Sequence, residues 1–93
     1  MDNPSELWRR FFRDWPAAMP QRGLVVTSFD ELVPFAGFLV SEAFLLLIRQ
    51  TPDAAGARSI VISYDKISAV KLTDIVKPKL FESMGFEGSL PNV

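Results

Sequence analysis

Hydrophobic and polar positions change period along this chain, from helical to strand-like and back near the end. In the first fifteen residues Leu7, Trp8, Phe11, Phe12 and Trp15 fall on one face at about 100° per residue. Glu6, Arg9, Arg10, Arg13 and Asp14 fall on the other. Asn3 suits an N-cap, Pro4 the first helical position, and Glu6 the third position of a capping box. Pro16 and Pro20 follow, where a helix must stop. The pattern predicts an amphipathic helix over about residues 4–15. A tryptophan-bearing helix with three arginines has two readings. It can lie on a membrane surface, or it can pack on its own core with the arginines as a solvated face. The second is the expectation, because amphipathic helices of globular domains usually bury their stripe.

From Gly23 the period becomes that of strands. Residues 24–29 (LVVTSF) are dense in β-branched types, and Asp30-Glu31 reads as a turn or bulge. Pro34 implies a break or an edge position, since proline cannot donate to a ladder. Residues 35–40 (FAGFLV) resume, and Gly37 within them is read as a point of sharp bending or close backbone approach. After Ser41-Glu42, residues 43–49 (AFLLLIR) fit a strand or a buried helix by pattern alone. Their short length and β-rich neighbours decide for a strand. Residues 50–57 (QTPDAAGA) form a loop. Residues 59–64 (SIVISY) alternate, with Ile60, Ile62 and Tyr64 one way and Val61 and Ser63 the other. Ile67–Leu72 is a last strand, and Lys77-Pro78 opens a short C-terminal helix over about 78–84 that ends at Gly85. The tail from Gly88 onward is expected to fray.

A chain of 93 residues, 48% of them hydrophobic and eight of them Phe, makes one folded domain over 1–93. Histidine and cysteine are both absent, which removes disulfides, thiol nucleophiles, His bases and nearly every zinc, copper or iron–sulfur site. The acids Asp30, Glu31, Glu42 and Asp65 show no convergence toward a paired-carboxylate site, and the glycines form no phosphate-binding fingerprint. The expectation is therefore a non-enzyme with no cofactor. A net charge of -1 gives no global drive toward nucleic acid, and no DNA partner is expected. The longest apolar run, residues 43–48, falls far short of the roughly 20 residues that span a bilayer. With no signal-peptide pattern at the start either, the expected setting is the cytoplasm, without a membrane partner.

One helix followed by five short strands resembles the Sm-like fold of the Sm, Lsm and bacterial Hfq proteins. The resemblance covers about residues 5–74. Gly37, Glu42 and Phe44–Ile48 stand for the family's strand-two glycine, its turn acid and its apolar third strand. Residues 60–64 and Ile67-Ser68-Ala69-Val70 stand for its fourth and fifth strands. The same order of elements also fits SH3-like and PH-like barrels. The family's base-reading Asn is replaced by Leu45-Leu46-Leu47, and Tyr64-Asp65-Lys66 occupies the place of its Arg-Gly or Lys-His pair.

The resemblance implies a mainly β fold: a strongly bent five-stranded antiparallel barrel over about 23–76, with an N-terminal α-helix and a short C-terminal helix. It implies a closed homo-oligomeric ring in which strand four of one subunit pairs with strand five of the next. Ser59, Ile60, Val61, Ile62, Ser63, Ile67, Ala69 and Lys71 are then the interface candidates. Glu42, Tyr64 and Lys66 are the candidates for RNA contact, with Tyr64 able to stack on a base and Phe44 expected in the core. The functional expectation is a self-assembling, non-catalytic interaction module, with an RNA-binding ring of weak affinity as the alternative.

Overall fold

A computed structural model describes residues 3–90. Helix α1 (Pro4–Arg13) begins where the sequence places it: the Asn3 side chain accepts a hydrogen bond from the Glu6 N–H at 2.8 Å. The box is only half closed, because the Glu6 carboxylate accepts from Arg9 at 3.3 Å. The helix is shorter than the apolar stripe predicts. Asp14 caps it, and Trp15 lies in the turn that follows, its indole N–H donating to the Met19 carbonyl at 3.1 Å.

Six strands follow: β1 (Gly23–Thr27), β2 (Leu32–Phe35), β3 (Gly37–Val40), β4 (Phe44–Ile48), β5 (Ser59–Ser63) and β6 (Ile67–Leu72). They form two separate three-stranded antiparallel sheets, in the orders β2-β1-β6 and β3-β4-β5. The expected strongly bent five-stranded barrel is not what forms. The run expected as one strand over 35–40 divides at Ala36, so that β2 pairs with β1 and β3 pairs with β4. Pro34 sits inside β2, a position an edge strand tolerates. Closure would need β5 and β6 to pair within the chain. They are separated by the 3-10 turn Tyr64–Lys66 and lie at the edges of different sheets.

The C-terminal element forms where the sequence places it. Pro78–Met84 is a 3-10 helix, ended by Gly85 in the left-handed conformation (φ 94°). The tail expected to fray is described as far as Leu90, and residues 91–93 lie outside the described residues. Asp30 adopts a positive φ of 63° in the turn between β1 and β2. Aspartate tolerates this better than most residues.

Helix α1 and the turn after it pack against both sheets. Phe12, 1% exposed, meets Phe35 of β2 at 6.4 Å between ring centroids and Phe38 of β3 at 5.1 Å. Trp15 stacks on Phe12 at 5.9 Å and meets Phe38 edge-on at 5.1 Å. Edge-to-face pairs of this kind add about 0.5–1.5 kcal/mol each beyond the area they bury. The aromatic stripe is therefore core, as the core-packing reading of the helix expects. Leu7, at its outer end, remains 50% exposed.

Candidate functional site

The residues nominated for RNA contact meet unequal fates. Tyr64 is 2% exposed, and its hydroxyl donates to the Ser41 carbonyl at 2.9 Å. Burial pushes its phenol above the ordinary value. A ring enclosed in this way presents no face to a base, so Tyr64 holds the β3–β4 turn in place and is not a stacking platform. Phe44, expected in the core, is 51% exposed. The exposure of the two aromatic residues is the reverse of what those expectations require.

Glu42 and Asp65 lie together in a shallow depression of about 340 Å³ against the start of α1, lined also by Ser5, Glu6 and Arg9. Arg9 is paired with Glu6 at 3.3 Å. The Asp65 carboxylate accepts from the Ser63 hydroxyl, 2.6 Å away. Lys66 is exposed but does not line this depression, and its carbonyl accepts from the Ser28 N–H at 2.8 Å. The depression is acidic, the opposite of what a phosphate backbone needs. Among the described residues no group of His, Cys, Asp or Glu is arranged to hold a metal ion. No helix among them is long and apolar enough to cross a membrane.

A second shallow depression, of about 310 Å³, has Arg22 and Arg49 on its walls. Both guanidinium groups are engaged. Arg22 grips Asp74 with two bonds of 2.9 Å, and Arg49 donates to the Thr51 carbonyl at 3.1 Å. The hydrogen bond from Arg22 holds the Asp74 carboxyl below its ordinary value. The clamp's contribution is therefore present above the ordinary carboxylate range, and it is lost as the pH falls through that lowered value. It ties the approach to β1 to the exit from β6, a structural task.

A further feature is a surface. Register places Leu39 of β3 opposite Leu46 of β4, and Leu46 opposite Val61 of β5. Alternation turns this row outward, while Phe38, Leu45, Leu47 and Ile62 turn into the core. Leu39 and Val61 are each 64% exposed. Phe44 and Ile48 flank the row, and no residue of β3, β4 or β5 carries a charge. Of the interface candidates, Ser59, Val61 and Lys71 are exposed; Ile60, Ser63 and Ala69 are half-buried; and Ile62 and Ile67 belong to the core. The outward row was hidden in the sequence because an all-apolar strand, FLLLI, shows no alternation to read.

Compared with protein-family models, with curated proteins and with solved structures, the chain shows no match in any of the three.

Proposed function

We propose that this protein is a non-catalytic interaction module that works by assembling with copies of itself. The observation that carries the reading is the uncharged β3–β4–β5 sheet, whose outward face leaves Leu39, Phe44 and Val61 open and whose β5 edge has no partner strand among the described residues. Contiguous exposed apolar surface marks interaction sites more often than it marks accident. A sheet edge presents unpaired N–H and C=O groups to any strand that can meet them. A net charge of -1 sets little repulsion between copies. Light scattering at micromolar concentration should report a mass at least twice that of the 10.4 kDa chain. A mass of one chain sinks the proposal.

Nothing in the acidic depression favours RNA as the ligand. With Glu42 and Asp65 together there and Tyr64 enclosed, binding to short U-rich or A-rich RNA is expected to be weak and to fall steeply with salt. Asp65→Lys should strengthen it, by removing an acid and adding a cation in one step. Titration of fluorescent oligonucleotides at moderate salt measures both. Nanomolar binding by the natural protein would favour the RNA-binding reading.

A further inference from the structure

The β5 edge is self-complementary. Its sequence, Ser59-Ile60-Val61-Ile62-Ser63, reads the same in both directions. If two such strands are laid antiparallel about Val61, serine faces serine, isoleucine faces isoleucine and valine faces valine. We propose that two copies of the chain pair their β5 edges in this way, about a twofold axis through Val61, to form one six-stranded sheet from two three-stranded ones. The inference rests on the self-assembly reading above and names the surface that performs it.

The main chain is set for this pairing. The bond from the Arg49 N–H to the Arg58 carbonyl, 2.9 Å, extends the β4–β5 ladder by one step. Ladder bonds of an antiparallel pair recur at every second residue. Ile60 and Ile62 thus turn their N–H and C=O groups toward β4, and Ser59, Val61 and Ser63 turn theirs toward the open side. In the twofold arrangement Val61 meets its own copy, and Ser59 meets Ser63 of the second copy. All the outward groups of β5 then find partners at once.

Guarding is absent where it would be needed to prevent this contact. Edge strands are usually protected by a charge or a proline. Among the edges, β2 carries Pro34 and β6 carries Lys71, whereas β5, like β3 at the far side of the same sheet, carries neither. The ends of β5 add complementary charge. Arg58 precedes it and Asp65 follows shortly after, both exposed. Antiparallel pairing about Val61 sets Arg58 opposite Tyr64 of the second copy, one residue from its Asp65, and does so at both ends. Parallel pairing of the same strands would bring like charges together.

Faces agree as well as edges. A twofold axis perpendicular to the sheet keeps the outward face of both copies on one side. The row Leu39–Leu46–Val61 therefore continues through the axis into Val61–Leu46–Leu39 of the second copy. The Ile60–Ile62 contacts join the two cores on the opposite side. A ring in which β5 pairs with β6 of the next copy uses the same edge and is incompatible with this dimer, so a single experiment separates them.

The chain has no cysteine, so Val61→Cys introduces its sole thiol. Directly opposed residues of a hydrogen-bonded antiparallel pair have Cα atoms about 5.5 Å apart, within the roughly 4.4–6.8 Å that a disulfide bridges. The full-length variant under mild oxidation should convert mostly to a covalent dimer on a non-reducing gel. Leu39→Cys, as exposed as Val61 but away from the axis, should convert at least tenfold more slowly. Val61→Lys sets two like charges against each other on the axis and should reduce the native mass to that of one chain while circular dichroism stays unchanged. Equal cross-linking of the two cysteine variants overturns the pairing. Absence of a Val61→Cys dimer, in a protein whose native mass exceeds one chain, overturns it too but leaves self-assembly standing. A native mass of one chain overturns both.

Discussion

Replacing Phe12 with alanine should lower the melting temperature by about 15–30 °C. Phe12 is 1% exposed and lies between Phe35 of one sheet and Phe38 of the other, with Trp15 stacked upon it. Truncating a buried phenylalanine typically costs about 3–5 kcal/mol, the lost transfer energy plus that of the cavity left behind. In a domain of this size each kcal/mol moves the midpoint by roughly 4–8 °C. Because total stability of small domains is only about 5–15 kcal/mol, the substitution removes a large part of it. Leu7→Ala, at the exposed end of the same helix, should shift the midpoint by no more than a few degrees. Both tryptophans belong to this N-terminal region, so their fluorescence reports its release while circular dichroism reports the sheets. A Phe12→Ala midpoint within 5 °C of the natural protein would mean that the helix does not hold the sheets together.

That dependence explains how a chain with two small sheets keeps one apolar face open. Each sheet has one face to bury, and a three-stranded sheet is near the lower limit for independent stability. Phe12 and Trp15 supply inner-face contacts to the segment that runs through both sheets. The core is thereby completed from the inside, and none of the described residues covers Leu39, Phe44 and Val61 on the other face. In the proposed assembly the outward face of the β3–β4–β5 sheet takes no part in folding the single chain. Substitutions at the outward positions should accordingly alter assembly more than monomer stability.

Local signals in the sequence proved sound where a single physical rule governs them. The Asn3 cap, the aromatic helix face, the Asp30 turn and the alternation of β5 follow from capping geometry, helical period, tolerance of positive φ and strand period. The expected barrel did not form, because closure is decided by which edges pair. The strand period of β5 and β6 does not say whether the two pair with each other. Tyr64 and Phe44 were misplaced for a related reason. Tyr64 stands beside charged residues in sequence yet folds under the Ser41 carbonyl, a partner 23 positions away. Phe44 stands among aliphatic neighbours yet takes the outward phase of β4. Phase within an all-apolar strand is set by its partners, and the partners are distant in sequence.

Glycine supplies the sharpest contrast between sequence and structure, and a paired substitution tests it. Gly37 is the glycine that the sequence nominates for bending or close approach. A Cβ there would find only ordinary contacts, the nearest being the Ile48 Cβ at 3.8 Å, and its φ is not positive. Gly23, at the start of β1, is the one under constraint: a Cβ would come within 2.5 Å of the Lys71 carbonyl oxygen, which belongs to the backbone of β6 and cannot rotate away. The Phe35 ring, 3.4 Å from the same point, blocks a shift toward β2. The Arg22–Asp74 clamp adjoins this point, so separating β1 from β6 strains its two 2.9 Å bonds as well. Alanine for glycine ordinarily gains about 0.4–1 kcal/mol by restricting the unfolded chain. At position 37 that gain should survive, leaving the melting temperature unchanged or a few degrees higher. At position 23 it is opposed by an overpacking cost of about 1–3 kcal/mol, and the enforced separation of paired strands places the cost at the upper end. Gly23→Ala should therefore melt about 5–15 °C below the natural protein, with protection from hydrogen exchange lost first at the β1–β6 ladder. If Gly37→Ala proved the more damaging of the two, the close approach would lie where the sequence suggests, and the register of β1 against β6 would have to be redrawn.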